Sequence, residues 1–196
     1  MVTKLSDIAT LHSGIVLSRK EATSNENPST IKYKRLNLRA VNSTGNINPS
    51  ELDMLTTQEE LKPSQLTQYG DIVIRLFTPM FPTIISESDV GLVVPSQLAL
   101  IRLRDQKVLP AYLQMCLSRQ SITETFLTRE NSTHRSITMK ALSDLCIPLV
   151  STENQQKIIK IYNLSKQRTQ LYQELIEQEQ LQIESVIESL LGGVQK

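Results

Sequence analysis

Residues 147–159 have the sequence Ile-Pro-Leu-Val-Ser-Thr-Glu-Asn-Gln-Gln-Lys-Ile-Ile, and the composition of the chain changes across this stretch. All eight prolines lie at or before Pro148, together with the three phenylalanines and four of the six glycines. After Pro148 there is no proline, and the next glycines are the pair Gly192-Gly193. Because proline and glycine interrupt helices, this distribution predicts a mixed domain followed by one long helix.

The segment from Ser151 onward has the pattern of a single amphipathic helix. Ser151 or Thr152 can cap its first turn, and Asn154 or Gln155 can bond back to the cap. Apolar residues then recur at spacings of three and four until Leu191. A helix of about 40 residues extends about 60 Å, which is more than a small domain covers with its own surface.

The apolar stripe of this helix therefore predicts pairing with another helix. The predicted interface residues are Ile161, Leu164, Leu171, Leu175, Ile183, Val186 and Leu190. The stripe is interrupted by Ser165, Arg168, Gln178 and Glu179, and such polar positions set register or partner choice. For the first few turns, folding back onto its own domain stays an alternative.

The part before the junction alternates short apolar runs with turn residues. The apolar runs predict strands at 72–77, 83–85, 91–94 and 98–103. Helical spacing predicts helices over 4–11 and 110–127.

Two shorter features complete the prediction of the fold. A short helix is expected near Leu142, with Ser136 or Ser143 as its cap, and the polar segment 56–64 is expected to be a surface helix and turn. The predicted fold class is α+β, with a globular domain over 1–150 and a long helix over 151–196.

Several classes of protein are excluded by composition. The 196 residues have a formal net charge of +1. No apolar run approaches the roughly 18 residues of a membrane span, and the N-terminus lacks the apolar core of a secretory signal, so we expect a cytoplasmic protein. Cys116 and Cys146 lack partners at metal or disulfide spacing and are expected to be buried, reduced thiols. We therefore expect no metal or cofactor in this chain.

Catalytic motifs are absent apart from one weak pattern. The chain has no phosphate-binding glycine loop, no nucleophile elbow and no His-Glu-x-x-His motif. Asp53 with Glu60 and Lys62 superficially fits a Mg²⁺-dependent nuclease, whose carboxylates and lysine must project from adjoining strands. The polar surroundings of these residues favour a solvated run of charges over a metal site. A nuclease is kept as an alternative.

Positive charge is local although the total is balanced. Residues 1–150 contain 16 Lys and Arg against 14 Asp and Glu, and residues 151–196 contain 5 against 6. Basic residues cluster at 19–20, at 32–39 and in the polar loop 129–136. Such clusters can neutralise phosphates. Side-chain amides that can make paired hydrogen bonds to base edges are available at Asn37, Asn42, Gln65, Gln68 and Gln97. For any single residue, a solvated surface position remains the alternative.

Several segments occur in an order that is typical of one family. They are Lys4–Ala9 followed by Ser13-Gly14, Tyr69-Gly70-Asp71-Ile72-Val73-Ile74, Pro95–Arg102, Tyr112–Phe126, and the junction formed by Ile137–Leu149 and Glu153–Ile159. In this order and spacing they resemble the DNA specificity subunits of type I restriction-modification systems. The resemblance covers essentially all of the chain, and the Ile-x-Pro-Leu and Glu-x-Gln-x-x-Ile pattern at the junction is its most specific part.

The resemblance implies a target recognition domain over 1–150 that binds double-stranded DNA. It implies that the helix over 151–196 serves dimerisation, spacing and docking of modification subunits. No chemistry is expected in this chain, because the modification subunits bind S-adenosylmethionine and methylate adenine, and a restriction subunit can join them. The expected DNA-binding residues are Arg19, Lys32, Lys34, Arg35, Arg39 and Arg75 in the variable part, and Thr133, His134 and Arg135 in the loop before the junction.

A typical member of this family has about twice this length, with two recognition domains and two long helices that pair as an antiparallel coiled coil. This chain is therefore expected to act as a complete half that forms a homodimer on a bipartite, palindromic site. Besides the nuclease, one alternative stays open. The chain could be a coiled-coil assembly or anti-restriction factor that binds modification subunits without recognising DNA.

Overall fold

The computed structural model describes residues 2–19, 30–43, 45–129 and 136–192, with the side chains of residues 19, 127–129 and 192 outside the description. The chain forms two compact units, Met1–Gln155 and Gln156–Lys196. The first unit mixes strands and helices, and the described part of the second is helical throughout. The predicted α+β class with a long C-terminal helix is thus confirmed.

The elements are short except for the last helix. The strands are β1 Val2–Lys4, β2 Ala9–Ser13, β3 Ile31–Arg35, β4 Asp53–Thr57, β5 Ile72–Arg75, β6 Thr83–Ile84, β7 Leu98–Leu103 and β8 Cys146–Pro148. The α-helices are α1 Leu5–Ile8, α2 Pro110–Leu117, α3 Gln120–Arg129, α4 Met139–Ser143 and α5 Thr152–Gly192. None of the helices in this described part is long and apolar enough to cross a bilayer.

A four-stranded antiparallel sheet with the order β2-β7-β5-β6 forms the centre of the first unit. Its middle strand, β7, is buried from Leu98 to Ile101, as expected for a run of apolar residues with neighbours on both sides. Two smaller pairs accompany it: the hairpin β3–β4, and β1 with β8, which joins the N-terminus to the junction.

Among the described residues, two apolar clusters place the loops around the hairpin. In one, Leu36, Ala40 and Val41 of the segment after β3 pack with Val73 and Leu100 of the sheet. In the other, the residues packed beneath the hairpin are Ile15, Leu55, Leu61 and Val93, with Leu17, Tyr33 and Leu66 against them. The segment that follows β3 is therefore held on the sheet by its own apolar residues.

The helix predicted over 4–11 is wrong. Only Leu5–Ile8 form a helical turn, and Ala9–Ser13 form a strand whose partners run from Leu103 to Ala99 in β7. The apolar spacing in this segment is compatible with both conformations. Pairing along β7 gives hydrogen-bond partners to the backbone groups of Ala9–Ser13 that face it.

The strand predicted over 91–94 is also wrong. Val93 makes only isolated bridges, with Arg35 and with Leu66, and is fully buried between them. Pro95 cannot donate to a ladder, which explains why no strand continues there. The predicted strands over 72–77, 83–85 and 98–103 are present as β5, β6 and β7, the first two shorter than predicted.

The helical predictions need three further corrections. The helix expected over 110–127 is divided into α2 and α3 by Ser118 and Arg119. The cap of α4 is neither Ser136 nor Ser143, because the Thr138 hydroxyl accepts the hydrogen bond from Ala141 N at 3.1 Å. The segment 56–64 contains the end of β4 and the start of a 3₁₀ turn, with no α-helix.

The long helix begins as predicted. Ser151 Oγ accepts from Asn154 N at 3.4 Å, which identifies Ser151 as the cap. Gln155 does not bond back to the cap. Its buried side-chain amide donates to the carbonyls of Lys107 and Val150 at 2.7 and 3.0 Å and accepts from Leu109 N at 2.9 Å.

Candidate nucleic-acid interface

The β3–β4 hairpin divides the basic run 32–35 between two faces, because successive side chains of a strand point to opposite sides. Lys32 and Lys34 are exposed on one face, where their cross-strand partners are Thr56 and Met54. Met54 is 56% exposed, so this face is open to solvent. We call these four residues the lysine face.

The other face of the hairpin borders a pocket of about 310 Å³ that is open to solvent. Its lining comes from the end of β3 and the segment after it, from the start of β4, and from the segment before β7. The lining residues are Leu17, Arg35, Leu36, Asn37, Leu38, Arg39, Asp53, Pro95 and Gln97. We call this the hairpin pocket.

Asn37 holds the wall of the hairpin pocket together. Its Nδ2 donates to the carbonyl of Glu51 and to Asp53 Oδ2, and its Oδ1 accepts from Arg39 N and Ala40 N, both at 2.9 Å. An asparagine amide has two donors and an acceptor with two lone pairs, so all of its hydrogen-bonding positions are occupied. Asn37 is a scaffold residue and has no group left for a base.

Each arginine of the hairpin pocket has a carboxylate beside it. Arg39 Nε lies 3.0 Å from Glu51 Oε2, and the Arg39 side chain is 76% exposed. Arg35 Nη2 lies 3.5 Å from Asp53 Oδ2, beyond the usual range for a hydrogen bond. The buried Arg35 Nε has no hydrogen-bond partner within the described residues.

Gln97 belongs to the lining of the hairpin pocket, in the segment before β7, and is exposed. Its side-chain amide has no hydrogen-bond partner in the described part of the chain. The backbone beside it is tightly constrained, because a Cβ at Gly14 would lie 2.0 Å from the Pro95 carbonyl oxygen. Glycine at position 14 thus allows β2 to approach the segment that carries Gln97.

Arg75 is placed differently from the other predicted DNA-binding residues whose side chains the structure describes. Its Nε donates to the Val41 carbonyl at 2.9 Å, and its Nη2 donates to the Leu38 carbonyl. Its guanidinium carbon lies 4.7 Å from the ring centre of Phe81 and 5.6 Å from that of Phe77. Burial lowers the pKa of Arg75, although its ordinary value is so high that the group stays charged. These contacts fasten the segment after β3 to the sheet.

An ion pair that sequence reasoning missed joins two of the family-like motifs. Arg102 Nε and Nη2 donate to the Asp71 carboxylate at 2.9 and 2.7 Å, and Asp71 is 2% exposed. Asp71 also accepts from Gln68 N at 2.7 Å. In the sequence, this ion pair is indicated by an acidic residue, Asp71, and an arginine, Arg102, that lie next to or within apolar runs.

The nuclease pattern is not assembled. Asp53 lies at the start of β4 and is bonded to Asn37, whereas Glu60 and Lys62 follow the end of the strand at Thr57. Four residue-to-residue steps along the strand place Thr57 roughly 13 Å from Asp53. No group of three or more His, Cys, Asp or Glu residues among those described could hold a metal ion.

Both cysteines are free, but only one is buried as predicted. Cys116 is buried in α2, and burial raises the pKa of its thiol. Cys146 is exposed, because the neighbouring Ile147 of β8 takes the inward position. In the same region, the Tyr112 hydroxyl donates to the Pro148 carbonyl at 2.7 Å, and burial raises the pKa of Tyr112 to about 12.

Four predicted DNA-binding residues cannot be placed. The side chain of Arg19 and the residues Thr133, His134 and Arg135 lie outside the described part of the chain.

In the second unit, all seven predicted interface residues are exposed on α5; they are Ile161, Leu164, Leu171, Leu175, Ile183, Val186 and Leu190.

Comparison with solved structures identifies the fold. The HsdS subunit from Thermoanaerobacter tengcongensis aligns with 99% of this chain at a TM-score of 0.72 and 16% identity. The fold is that of an HsdS specificity subunit. The HsdS fold also appears in the type I restriction-modification S subunit from M. genitalium, which aligns with 89% of this chain at a TM-score of 0.51 and 14% identity.

A third match comes from a structural study of assembly and conformational transition in the type I R-M system. It covers 86% of this chain at a TM-score of 0.59 and 17% identity. The three alignments cover 49%, 41% and 38% of the matched chains, so this chain spans half or less of the length of those HsdS-like neighbours. No protein-family model and no curated protein matches the sequence.

Proposed function

We propose that this chain is a DNA sequence-specificity subunit of a type I restriction-modification system. The observation that carries the proposal is the alignment of 99% of the chain, domain and long helix together, with an HsdS subunit. In the proposed role, the chain performs no catalysis. It binds duplex DNA and directs modification subunits, which bind S-adenosylmethionine, to a bipartite site.

Residues 2–155 supply the DNA-binding surface in this proposal. The β3–β4 hairpin offers positive charge on the lysine face, where Lys32 and Lys34 are exposed, whereas Arg35 and Arg39 at the hairpin pocket lie beside carboxylates. A two-stranded ribbon of this kind is narrow enough to enter a major groove. Lysine and arginine side chains give affinity through phosphates, and a smaller set of fork donors gives specificity.

The long helix serves as the dimer interface, with a second copy of the chain antiparallel to the first. Its first half carries Lys157, Lys160, Lys166 and Arg168 without an acidic residue between 156 and 172. Its second half carries Glu174, Glu177, Glu179, Glu184 and Glu188 without a basic residue between 173 and 192. Antiparallel pairing brings opposite charges together along the exposed apolar stripe, whereas parallel pairing places like charges side by side.

Such a dimer presents two identical DNA-binding units related by a two-fold axis, so the target is a split palindrome. The modification subunits dock on the assembled chains and methylate adenine, with or without a restriction subunit. A nuclease is disfavoured because Asp53 begins β4 and is bonded to Asn37, whereas Glu60 and Lys62 follow the end of that strand. An assembly factor without DNA recognition differs from the proposal in one measurable property, the selection of a sequence.

The experiment is a selection from duplexes with a randomised central region, using the full-length chain in its dimeric form. We expect enrichment of two inverted half-sites at a constant separation, with binding that weakens steeply as salt rises. The double variant Lys32→Gln/Lys34→Gln should reduce the dependence of log affinity on log salt by about 2 while retaining the motif. A chain that enriches no motif, or binds duplexes without regard to salt, would overturn the proposal.

A further inference from the structure

We propose that the hairpin pocket is the base-recognition site of this chain, and that the Gln97 amide and the Arg35 guanidinium are the groups that contact base edges. This inference rests on the proposed DNA-binding function and deepens it, because it separates specificity from general affinity. Its evidence is the charge, the shape and the unoccupied hydrogen-bonding groups of the pocket.

The charge of the pocket suits a neutral, polar ligand rather than a phosphate. Arg35 lies beside Asp53, and Arg39 beside Glu51, so each guanidinium is matched by a carboxylate. A phosphate needs an excess of positive charge, which this arrangement does not provide. A base edge carries hydrogen-bond donors and acceptors without net charge, which a lining of balanced charges and free donors accommodates.

The hydrogen-bond partners within the domain separate supporting residues from recognition residues. Asn37 has every donor and acceptor position occupied, and Gln65 Oε1 accepts from Lys62 N at 2.8 Å in a turn. Arg102 is held by Asp71. By contrast, the exposed Gln97 amide has no partner within the described residues, and Arg35 Nη2 lies 3.5 Å from Asp53 Oδ2, beyond the usual range for a hydrogen bond. These two groups of the pocket are therefore able to bond to another molecule.

The shape of the pocket supports the same ligand. Leu17, Leu38 and Pro95 form apolar parts of its lining, which can contact the apolar part of a base such as the methyl group of thymine. A glutamine amide pairs with adenine through one donor and one acceptor, and an arginine fork pairs with guanine through two donors. Asn37, Gly14 and Pro95 hold the two sides of the pocket in place, so these groups are preorganised.

The test changes Gln97, which is exposed and whose substitution leaves the core intact. The full-length chain and the variants Gln97→Ala and Gln97→Glu are compared in the selection from randomised duplexes, with Gln106→Ala as the control. Gln106 is also exposed and without a side-chain partner in the described chain, but it lies in the turn after β7, outside the pocket. Thermal unfolding of each variant confirms that folding is unchanged.

We expect Gln97→Ala to reduce the preference for one base over the others about tenfold, at one position of each half-site. The affinity of this variant for the unselected pool of duplexes should stay within about twofold of the wild-type affinity. Gln97→Glu should shift the preference at that position toward cytosine, because a carboxylate only accepts hydrogen bonds. Gln106→Ala should retain the whole motif.

Two other results would overturn the inference. If Gln97→Ala enriches the unchanged motif with full discrimination, the pocket is not the recognition site, although the proposed function stands. If Gln97→Ala binds all duplexes more weakly without a change of motif, Gln97 serves general affinity and the assignment is wrong. A wild-type chain that enriches no motif would instead remove the proposed function itself.

Discussion

The two units of this chain differ in whether their side chains are buried and hydrogen-bonded within the unit itself. Between residues 2 and 155, apolar side chains fill a core, and buried polar groups such as Asp71 and Gln155 are hydrogen-bonded within the chain. From 156 to 191, no described side chain is buried. A helix gains most of its stability in proteins from packing of its apolar face. The first unit is therefore stabilised by its own contacts, whereas the apolar residues of the second are exposed in the single chain.

The largest expected effect concerns the first unit. Asp71→Ala leaves Arg102 without the carboxylate that binds it through two hydrogen bonds, and should lower the free energy of unfolding by about 3 kcal/mol. Denaturant unfolding followed by circular dichroism measures the change. The control Asp105→Ala removes an exposed partner of Lys107 and should cost about 0.5 kcal/mol. Equal losses in the two variants would show that the buried pair is not important for folding.

The second prediction concerns the long helix. Leu175 is 52% exposed, and Leu175→Glu places a charge in the apolar stripe, so it should weaken self-association tenfold or more. Sedimentation equilibrium measures the dissociation constant. Gln170→Ala, at a position on the opposite side of the helix, should leave it nearly unchanged. The free energy of unfolding of the first unit should be the same in both variants, and a wild-type chain that is monomeric at micromolar concentration would refute the dimer.

A third prediction uses the pH dependence of the first unit. Because the pKa of Tyr112 is raised to about 12, its neutral form is favoured by folding. The resulting stability is present below about pH 10, the ordinary pKa of tyrosine, and is lost as the pH rises toward 12. Tyr112→Phe should cost about 1 kcal/mol near neutral pH by removing the hydrogen bond to the Pro148 carbonyl.

The same variant should also show a smaller loss of stability between pH 10 and 12 than the wild type, measured by denaturant unfolding across that range. If both proteins lose stability equally in this interval, another group is responsible for the alkaline transition.

The smallest expected effect distinguishes the orientations of the helix pair. In the antiparallel dimer, Lys160→Glu/Lys166→Glu places acidic residues opposite the glutamates of the second half and should weaken association about threefold. In a parallel dimer, the same change relieves repulsion between two basic halves and would strengthen association. Dissociation constants at low and high salt therefore separate the two orientations by the sign of the change.

The parts of the fold that were predicted correctly are those with a long or unambiguous local signal. The helix α5 shows apolar spacing over about 40 residues without proline, and β7 is a short apolar run that only a buried strand fits well. The prediction failed where a tertiary partner decided the conformation. Ala9–Ser13 have spacing compatible with a helix and became a strand because β7 offered a partner. The strand β3 was not predicted at all, since its alternation is hidden by three basic residues.

The candidate site was predicted in part for a related reason. Sequence alone marked Arg35, Arg75, Asn37 and Gln97 as groups able to contact DNA, and it could not rank them. The structure separates them by the partners of each side chain, which depend on loops distant in sequence: Arg75 bonds to carbonyls 34 and 37 residues away. The sequence shows that a hydrogen-bond donor is present, whereas only the folded structure shows whether that donor already has an acceptor within the chain.

The close approach of Gly14 to the Pro95 carbonyl has a consequence for the engineering of this domain. No side chain larger than hydrogen fits at position 14, so this contact resists change while the exposed positions around it tolerate substitution. Together with Asn37, it fixes the backbone beside the exposed side chains of Arg39 and Gln97. A combinatorial library restricted to positions 39 and 97 would therefore vary the surface of the hairpin pocket with little risk to the fold.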